Sequence, residues 1–199
     1  LDTRSILGDL FFSPYSVTVK ERQNFIKNQI QNITNLIEKI SAFSNSKIIV
    51  TQLEIPSWSP YGIYENKMEY GLKDMIRDFN KKLTEIVKKK SSTYVYDFNS
   101  FVMKYGSKNI FDYRQFFAGD IKISLEFLPL FADELLGFIK PIIGLNRKCL
   151  VLDLDNTLWG GVVGEEGFEG IELNPNGKGS SFIEFQRVIL SLYQRGIIL

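Results

Sequence analysis

The 199-residue sequence contains no histidine. A Ser-His or Cys-His nucleophile pair therefore cannot be assembled from it, and neither can a histidine-ligated zinc site. It holds a single cysteine, Cys149, so there is no internal disulfide and no thiolate cluster, a usage that suits a reducing, cytoplasmic compartment. Charge of either sign is not in excess: 24 basic residues face 23 acidic ones, which argues against a nucleic-acid partner held by bulk electrostatics. No apolar run reaches the roughly 18 residues of a membrane span, and the first residues do not form a signal peptide, so no membrane partner is expected. No internal repeat, low-complexity tract or heptad array occurs. Any chemistry must rest on carboxylates, lysine or a hard, oxygen-bound metal.

What is present is ample apolar material: 44% of residues are hydrophobic and 14% aromatic. Isoleucines at 26, 30, 33, 37 and 40 follow the spacing of an amphipathic helix over 21–43. KIIVTQLEI at 47–55 reads as a β-branched strand closed by Pro56. Residues 56–66 form a proline- and aromatic-rich loop at the end of that strand, where open α/β sheets place ligands. A second amphipathic helix is predicted over 67–90 and a second strand over 93–98. Irregular pieces follow over 99–123, then a third helix over 124–140. PIIGLNR at 141–147 marks the domain boundary. A strand is predicted over 148–154, and a glycine-rich segment over 160–179 follows it. A helix over 180–195 comes next; Gly196 caps it and opens a last strand. The alternation predicts a doubly wound parallel α/β sheet, with a first domain over 1–143 and the start of a second over 147–199.

The chemistry concentrates in residues 148–164, KCLVLDLDNTLWGGVVG. An apolar strand that delivers Asp153 and Asp155 to its tip needs something cationic there. Phosphoryl transfer needs that arrangement: a cation to neutralise the phosphate oxygens, an in-line nucleophile and an acid for the leaving oxygen. Magnesium prefers one or two carboxylates with carbonyls and waters. Backbone N–H groups past the nucleophile can hold the phosphoryl oxygens. The bland alternative is an acidic turn, since Asp and Asn are ordinary turn formers. The preceding apolar run, the hydroxyl at Thr157 and the Gly160-Gly161 pair weigh against it.

DLDNTLWGG resembles motif I of the haloacid dehalogenase-like (HAD) superfamily, DxDx[TV]. The longer stretch, with GEEGFEGIEL and FIEFQRVILSLYQRGIIL, resembles the FkbH-like branch of the subfamily IIIC phosphatases. Residues 1–143 resemble more loosely the SGNH-hydrolase-like N-terminal domain of those proteins. The resemblance implies a HAD-type phosphohydrolase, or a phosphatase-linked glyceryl or acyl transferase, acting on a small phosphorylated metabolite. It implies Asp153 as nucleophile and magnesium ligand, Asp155 as general acid/base and second ligand, and Thr157, Gly160 and Gly161 near substrate. It implies that 159–170 form the squiggle and flap that gate the site. It also implies an acyl carrier protein as partner and a thioester role for Cys149, whose alternative is a small buried core residue. Motifs beyond Leu199 would supply the remaining groups, so the stretch itself is expected to be inactive. In the SGNH-like region Gly8-Asp9-Leu10 has no serine where a nucleophile motif needs one. A non-catalytic docking or substrate-binding N-terminal module is the rival reading. Three further features each have a bland alternative in a packed loop, a turn or a solvated face. Trp58, Tyr61 and Tyr64 can line a pocket, Gly161, Gly164 and Gly167 can cradle phosphate, and the Lys81–Lys90 run can dock an acidic carrier. Gly177 and Gly179 read as a turn, with Ser180 or Ser181 capping the last helix.

Overall fold

The computed structural model describes residues 1–199 and divides into two compact units, Leu1–Phe138 and Ile139–Leu199. In the first, helix α1 (Thr3–Leu7) precedes α2 (Val19–Phe43), strand β1 (Ile48–Thr51), α3 (Leu72–Val87) and strand β2 (Thr93–Tyr96). The strands pair in parallel, Ile48 opposite Thr93 through Thr51 opposite Tyr96. A parallel pair needs a crossover, and α3 lies within it. Of the predicted doubly wound sheet, the ladder present is this two-stranded one.

Helix α2 starts in a capping box: the Glu21 backbone donates to the Thr18 hydroxyl at 3.3 Å, and the Thr18 backbone donates to the Glu21 carboxylate at 2.7 Å. Its isoleucine stripe buries Ile26, Ile30 and Ile37, while Ile40 is exposed. Helix α3 is the densest part of the core, with Leu72, Met75, Ile76 and Phe79 fully buried against α2 and β2. The helix predicted over 67–90 starts later because Gly62–Lys67 forms a 3₁₀ turn. The buried Glu65 of that turn accepts the Lys73 N–H at 2.6 Å, at the positive end of α3.

The segment 99–123, read as irregular, holds three short helices: α4 (Phe98–Tyr105), α5 (Ser107–Ile110) and α6 (Tyr113–Gly119). They are too short for a periodic signal, and local caps start two of them. Asp97 accepts from the Ser100 N–H at 3.1 Å, and Asp112 accepts from the Arg114 N–H at 2.8 Å. Helix α7 (Leu128–Ile142) follows. Its Phe131, Leu135 and Phe138 pack on a second core cluster of Tyr96, Phe98, Phe101 and Ile110.

The loop after β1 is fixed from both sides. The Asn80 amide clamps both the N–H and the C=O of Leu53, each at 2.8 Å. Asn99 accepts from the Ile55 N–H at 2.9 Å and donates to the Leu53 carbonyl at 3.0 Å. Between those points sits Glu54, whose carbonyl accepts the Thr3 hydroxyl at 2.8 Å. Burial pushes the Glu54 carboxyl up to about 7; nearby Arg4 opposes the shift and Asp2 adds to it. Such a carboxyl holds its proton more tightly in the folded chain than in the unfolded one. Folding stability therefore falls as pH rises from about 4.5 to about 7, and stays low above that. Glu54→Gln is expected to leave stability unchanged at the acid end and to raise it by about 2 kcal/mol at roughly pH 8. Urea unfolding of both proteins at the two pH values checks this; equal stabilities at the alkaline end would contradict it.

The Tyr61 hydroxyl is buried and makes no hydrogen bond. Tyr61→Phe is therefore expected to stabilise the chain by roughly 1 kcal/mol, seen as a higher urea midpoint with an unchanged slope.

In the second unit, α8 (Val163–Gly170) and α9 (Gly179–Gln194) follow the acidic motif. The strand predicted over 148–154 is not formed. One parallel bridge, Cys149 with Ile198, replaces it, with Leu150 N–H donating to the Ile198 carbonyl at 2.8 Å and Ile198 N–H to the Lys148 carbonyl at 2.9 Å. A strand exists through its ladder, and no partner continues the pairing past Leu150. Val151 is accordingly 89% exposed. Helix α9 lies close to its expected span, and Gly196 ends it at φ 91°, with its N–H on the Tyr193 carbonyl at 2.8 Å. The expected serine cap is absent. Ser180 and Ser181 instead donate their hydroxyls backward, to the carbonyls of Gly177 at 2.6 Å and Lys178 at 2.9 Å.

Candidate functional site

The acidic turn is built by hydrogen bonds among its own residues. Asn156 takes the left-handed conformation, φ 54°, which Asn tolerates better than most residues. Its side-chain oxygen accepts the Gly161 N–H at 2.9 Å and so closes a loop around Thr157–Gly160. Thr157 and Leu158 donate their N–H groups to the Leu154 carbonyl at 3.2 and 2.8 Å. Gly160 exchanges two backbone hydrogen bonds with Glu172, at 3.1 and 2.8 Å. A Cβ there would sit 3.0 Å from both Glu172 and the Phe182 ring, so a larger residue would need those side chains to shift. The Gln186 amide on α9 donates to the Leu158 carbonyl at 2.7 Å and ties the turn to that helix.

Within this frame the two aspartates differ. Asp155 is half-buried, and its Oδ1 accepts the Trp159 indole N–H at 3.0 Å and the Val163 N–H at 3.2 Å. Asp153 is exposed, and its Oδ1 accepts the adjacent Leu154 N–H at 2.8 Å. One carboxylate is held in a fixed direction, while the other faces solvent. Trp159, Asn156 and Gln186 do this positioning; Trp159 falls in the expected gating segment, while Asn156 and Gln186 were not legible as site residues. Only the tolerance of Asn for a left-handed turn hinted at one of them.

The remaining expected residues are placed as follows. Thr157 lies half-buried in the turn. The N–H groups of Gly160 and Gly161 are already hydrogen-bonded within the chain, so these glycines shape the turn. Cys149 is exposed, which overturns the reading of it as a small core residue: the single bridge to Ile198 leaves it uncovered. The glycines at 161, 164 and 167 do not make a phosphate cradle. A helix starts at Val163 directly after Gly161, but Glu165 and Glu166 occupy its first turn. They complement the positive helix end that an anion would need. Gly167, φ 68°, kinks α8. In the first unit Tyr61 stacks edge-on with Tyr15 and Tyr64 is exposed, while Trp58 lines a cavity. In the basic run Lys82 pairs with Asp78 at 2.7 Å and Lys90 with Glu38 at 3.2 Å.

As donors for a hard cation, Asp153 and Asp155 each keep one carboxylate oxygen outside these hydrogen bonds, and the turn offers backbone carbonyls. That set fits magnesium, which takes one or two carboxylates and completes its shell with water and substrate oxygens. No group of three or more acidic, histidine or cysteine side chains gathers here or elsewhere. No helix is long and apolar enough to cross a membrane.

No curated protein matches the sequence. A solved structure, the crystal structure of the N-terminal part of the protein BF1531 from Bacteroides fragilis containing phosphatase domain complexed with Mg, is 28% identical with a TM-score of 0.82. The match covers 99% of this chain and 50% of that one, so the chain spans half the length of its structural neighbour. Residues 9–140 match the family described as FkbH, N-terminal domain. With that family covering two thirds of its length, the chain belongs to the FkbH N-terminal domain family.

Proposed function

We propose that the 153–157 turn is the aspartyl portion of a magnesium-dependent phosphoryl-transfer site of the HAD type, acting on a small phosphorylated metabolite. The observation that carries this reading is the division of labour between the two carboxylates. Asp153 is exposed and adjacent to backbone donors, as an attacking group must be. Asp155, two residues on, is aimed by Trp159 and Val163, as a proton-transfer group must be. A solved neighbour whose description names a phosphatase domain and Mg supports it.

In this reading an Asp153 oxygen attacks phosphorus in line and the P–O bond to the leaving group breaks. The leaving oxygen takes a proton from Asp155. Asp155 then removes a proton from the acceptor, which attacks the aspartyl phosphate and regenerates Asp153. Asp153 and the backbone carbonyl of Asp155 would hold the magnesium, whose charge offsets that of the phosphoryl oxygens. Thr157 would orient the phosphoryl group, beside the turn that Gly160 and Gly161 shape. The acceptor is water or a carrier thiol; the exposure of Cys149 keeps a thioester route to an acyl carrier protein in the proposal. The first unit is read as a non-catalytic SGNH-like module and the second as the start of a Rossmann-like HAD domain, in a cytoplasmic protein.

The test is phosphate release from an aryl phosphate by the full-length protein, with and without magnesium. Magnesium-dependent release is the expected result, and none under either condition would sink the reading.

A further inference from the structure

A cavity of about 500 Å³ opens in the first unit at the carboxyl ends of β1 and β2. It lies where parallel sheets place ligands, and its volume suits a small molecule. Thr51 at the end of β1, Glu54 and Trp58 in the following loop, and Phe98 just after β2 all face it. Seven of its twenty lining residues are aromatic.

Three acids, Asp2, Glu54 and Asp112, and three bases, Arg4, Lys108 and Lys122, line it, but they are not paired one to one. Lys122 has two acidic partners, Asp2 at 3.7 Å and Asp120. Asp112 is spent on the start of α6 and on Arg114. Arg4 and Lys108 line the cavity with no carboxylate within 4 Å. The Arg4 guanidinium sits among four rings, 4.8 Å from the centroid of Phe116, 5.2 Å from Phe11, 5.3 Å from Tyr113 and 5.7 Å from Phe12. Rings hold a guanidinium through its charge and faces, and leave N–H donors at its edge for an acceptor. Glu54, the remaining acid, sits on a loop clamped by Asn80 and Asn99, and burial pushes its carboxyl up to about 7, so about half of it carries a proton at neutral pH. A protonated carboxyl donates a hydrogen bond and does not repel an anion.

We infer that this cavity binds a small amphipathic anion, a compact apolar body bearing one carboxylate or phosphate. Arg4 and Lys108 hold the head, and Trp58, Phe98 and Phe116 enclose the body. The site is separate from the acidic turn and does not depend on the phosphoryl-transfer reading.

The chain's two tryptophans make the test direct, because Trp58 lines the cavity and Trp159 lies in the other unit. The indole N–H signals of the 199-residue protein, assigned with Trp58→Phe, are followed by NMR during titration with phenylacetate, phenyl phosphate and neutral phenylacetamide. The expected result is a saturable shift of Trp58 alone, with a Kd below about 1 mM for at least one anion and binding about tenfold weaker for the amide. The tighter anion identifies the head group. Arg4→Gln and Lys108→Gln are each expected to weaken anion binding about tenfold. Lys108 is exposed, so its variant tests the idea even if the Arg4 variant fails to fold. Three outcomes would overturn the inference: no saturation by about 10 mM, equal binding of the amide, or unchanged affinity in folded Lys108→Gln.

Discussion

In the full-length protein, Asp153→Asn is expected to lower magnesium-dependent phosphate release by about 10³-fold or more, with little change in folding stability. An amide oxygen is a poor nucleophile toward phosphorus, and the substitution also removes the charged oxygen that the proposal assigns to magnesium. The side chain is exposed, and its one hydrogen bond is to the next residue's N–H, which the asparagine oxygen can still accept. The effect should therefore fall on the chemistry and not on the fold. Asp155→Asn should behave differently. Its oxygen can still accept from Trp159 and Val163, but the proposed general acid is lost. Substrates with a poor leaving group should suffer most and activated aryl phosphates least. A loss in Asp155→Asn that ignores leaving-group acidity would contradict the role given to Asp155.

Arg22→Met is expected to destabilise the first unit by about 4 kcal/mol and to lower its melting temperature by roughly 10 °C. Arg22 is only 4% exposed and has no acidic partner. Its guanidinium is satisfied by backbone carbonyls: Pro14 at 2.8 Å, Val17 at 2.7 Å, Glu69 at 3.0 Å and Tyr70 at 3.0 Å. It thus fastens the entry to α2 to the segment that leads into α3. Methionine matches its length and apolar stem but supplies no donor, so four carbonyls lose their partner at once. Chemical unfolding of the variant checks this, and a change under about 1 kcal/mol would mean that water replaces the guanidinium without cost.

The long helices were legible because burial imposes a period on them. The isoleucine stripe of α2 and the α3 set Leu72, Met75, Ile76 and Phe79 are facts about one face each. The acidic motif was legible because its residue types and spacing carry chemistry. Arg22 was not, because a charged residue near a helix start normally reads as solvated, and its acceptors come from distant backbone. The strand read at 148–154 is seen as one parallel bridge, Cys149 with Ile198, because an apolar run shows only that a strand could form and a ladder also needs its partner residues. Asp155 was recognised as an acid, but its aim depends on an indole N–H and a backbone N–H that no spacing rule marks. The cavity of the first unit was legible in part: the loop after β1 and Trp58 marked its place, but its charged lining was hidden. Arg4, Glu54, Lys108 and Trp58 meet only through the parallel pairing of β1 and β2 and the short helices after them.

The central claim is that Asp153 becomes phosphorylated during turnover. The direct measurement is peptide mass spectrometry of full-length protein quenched in acid during reaction with an aryl phosphate and magnesium. A phosphoryl adduct on Asp153 is the predicted result, absent without magnesium and absent in Asp153→Asn. Turnover with no adduct on that residue, or an adduct that persists elsewhere in Asp153→Asn, would contradict the account.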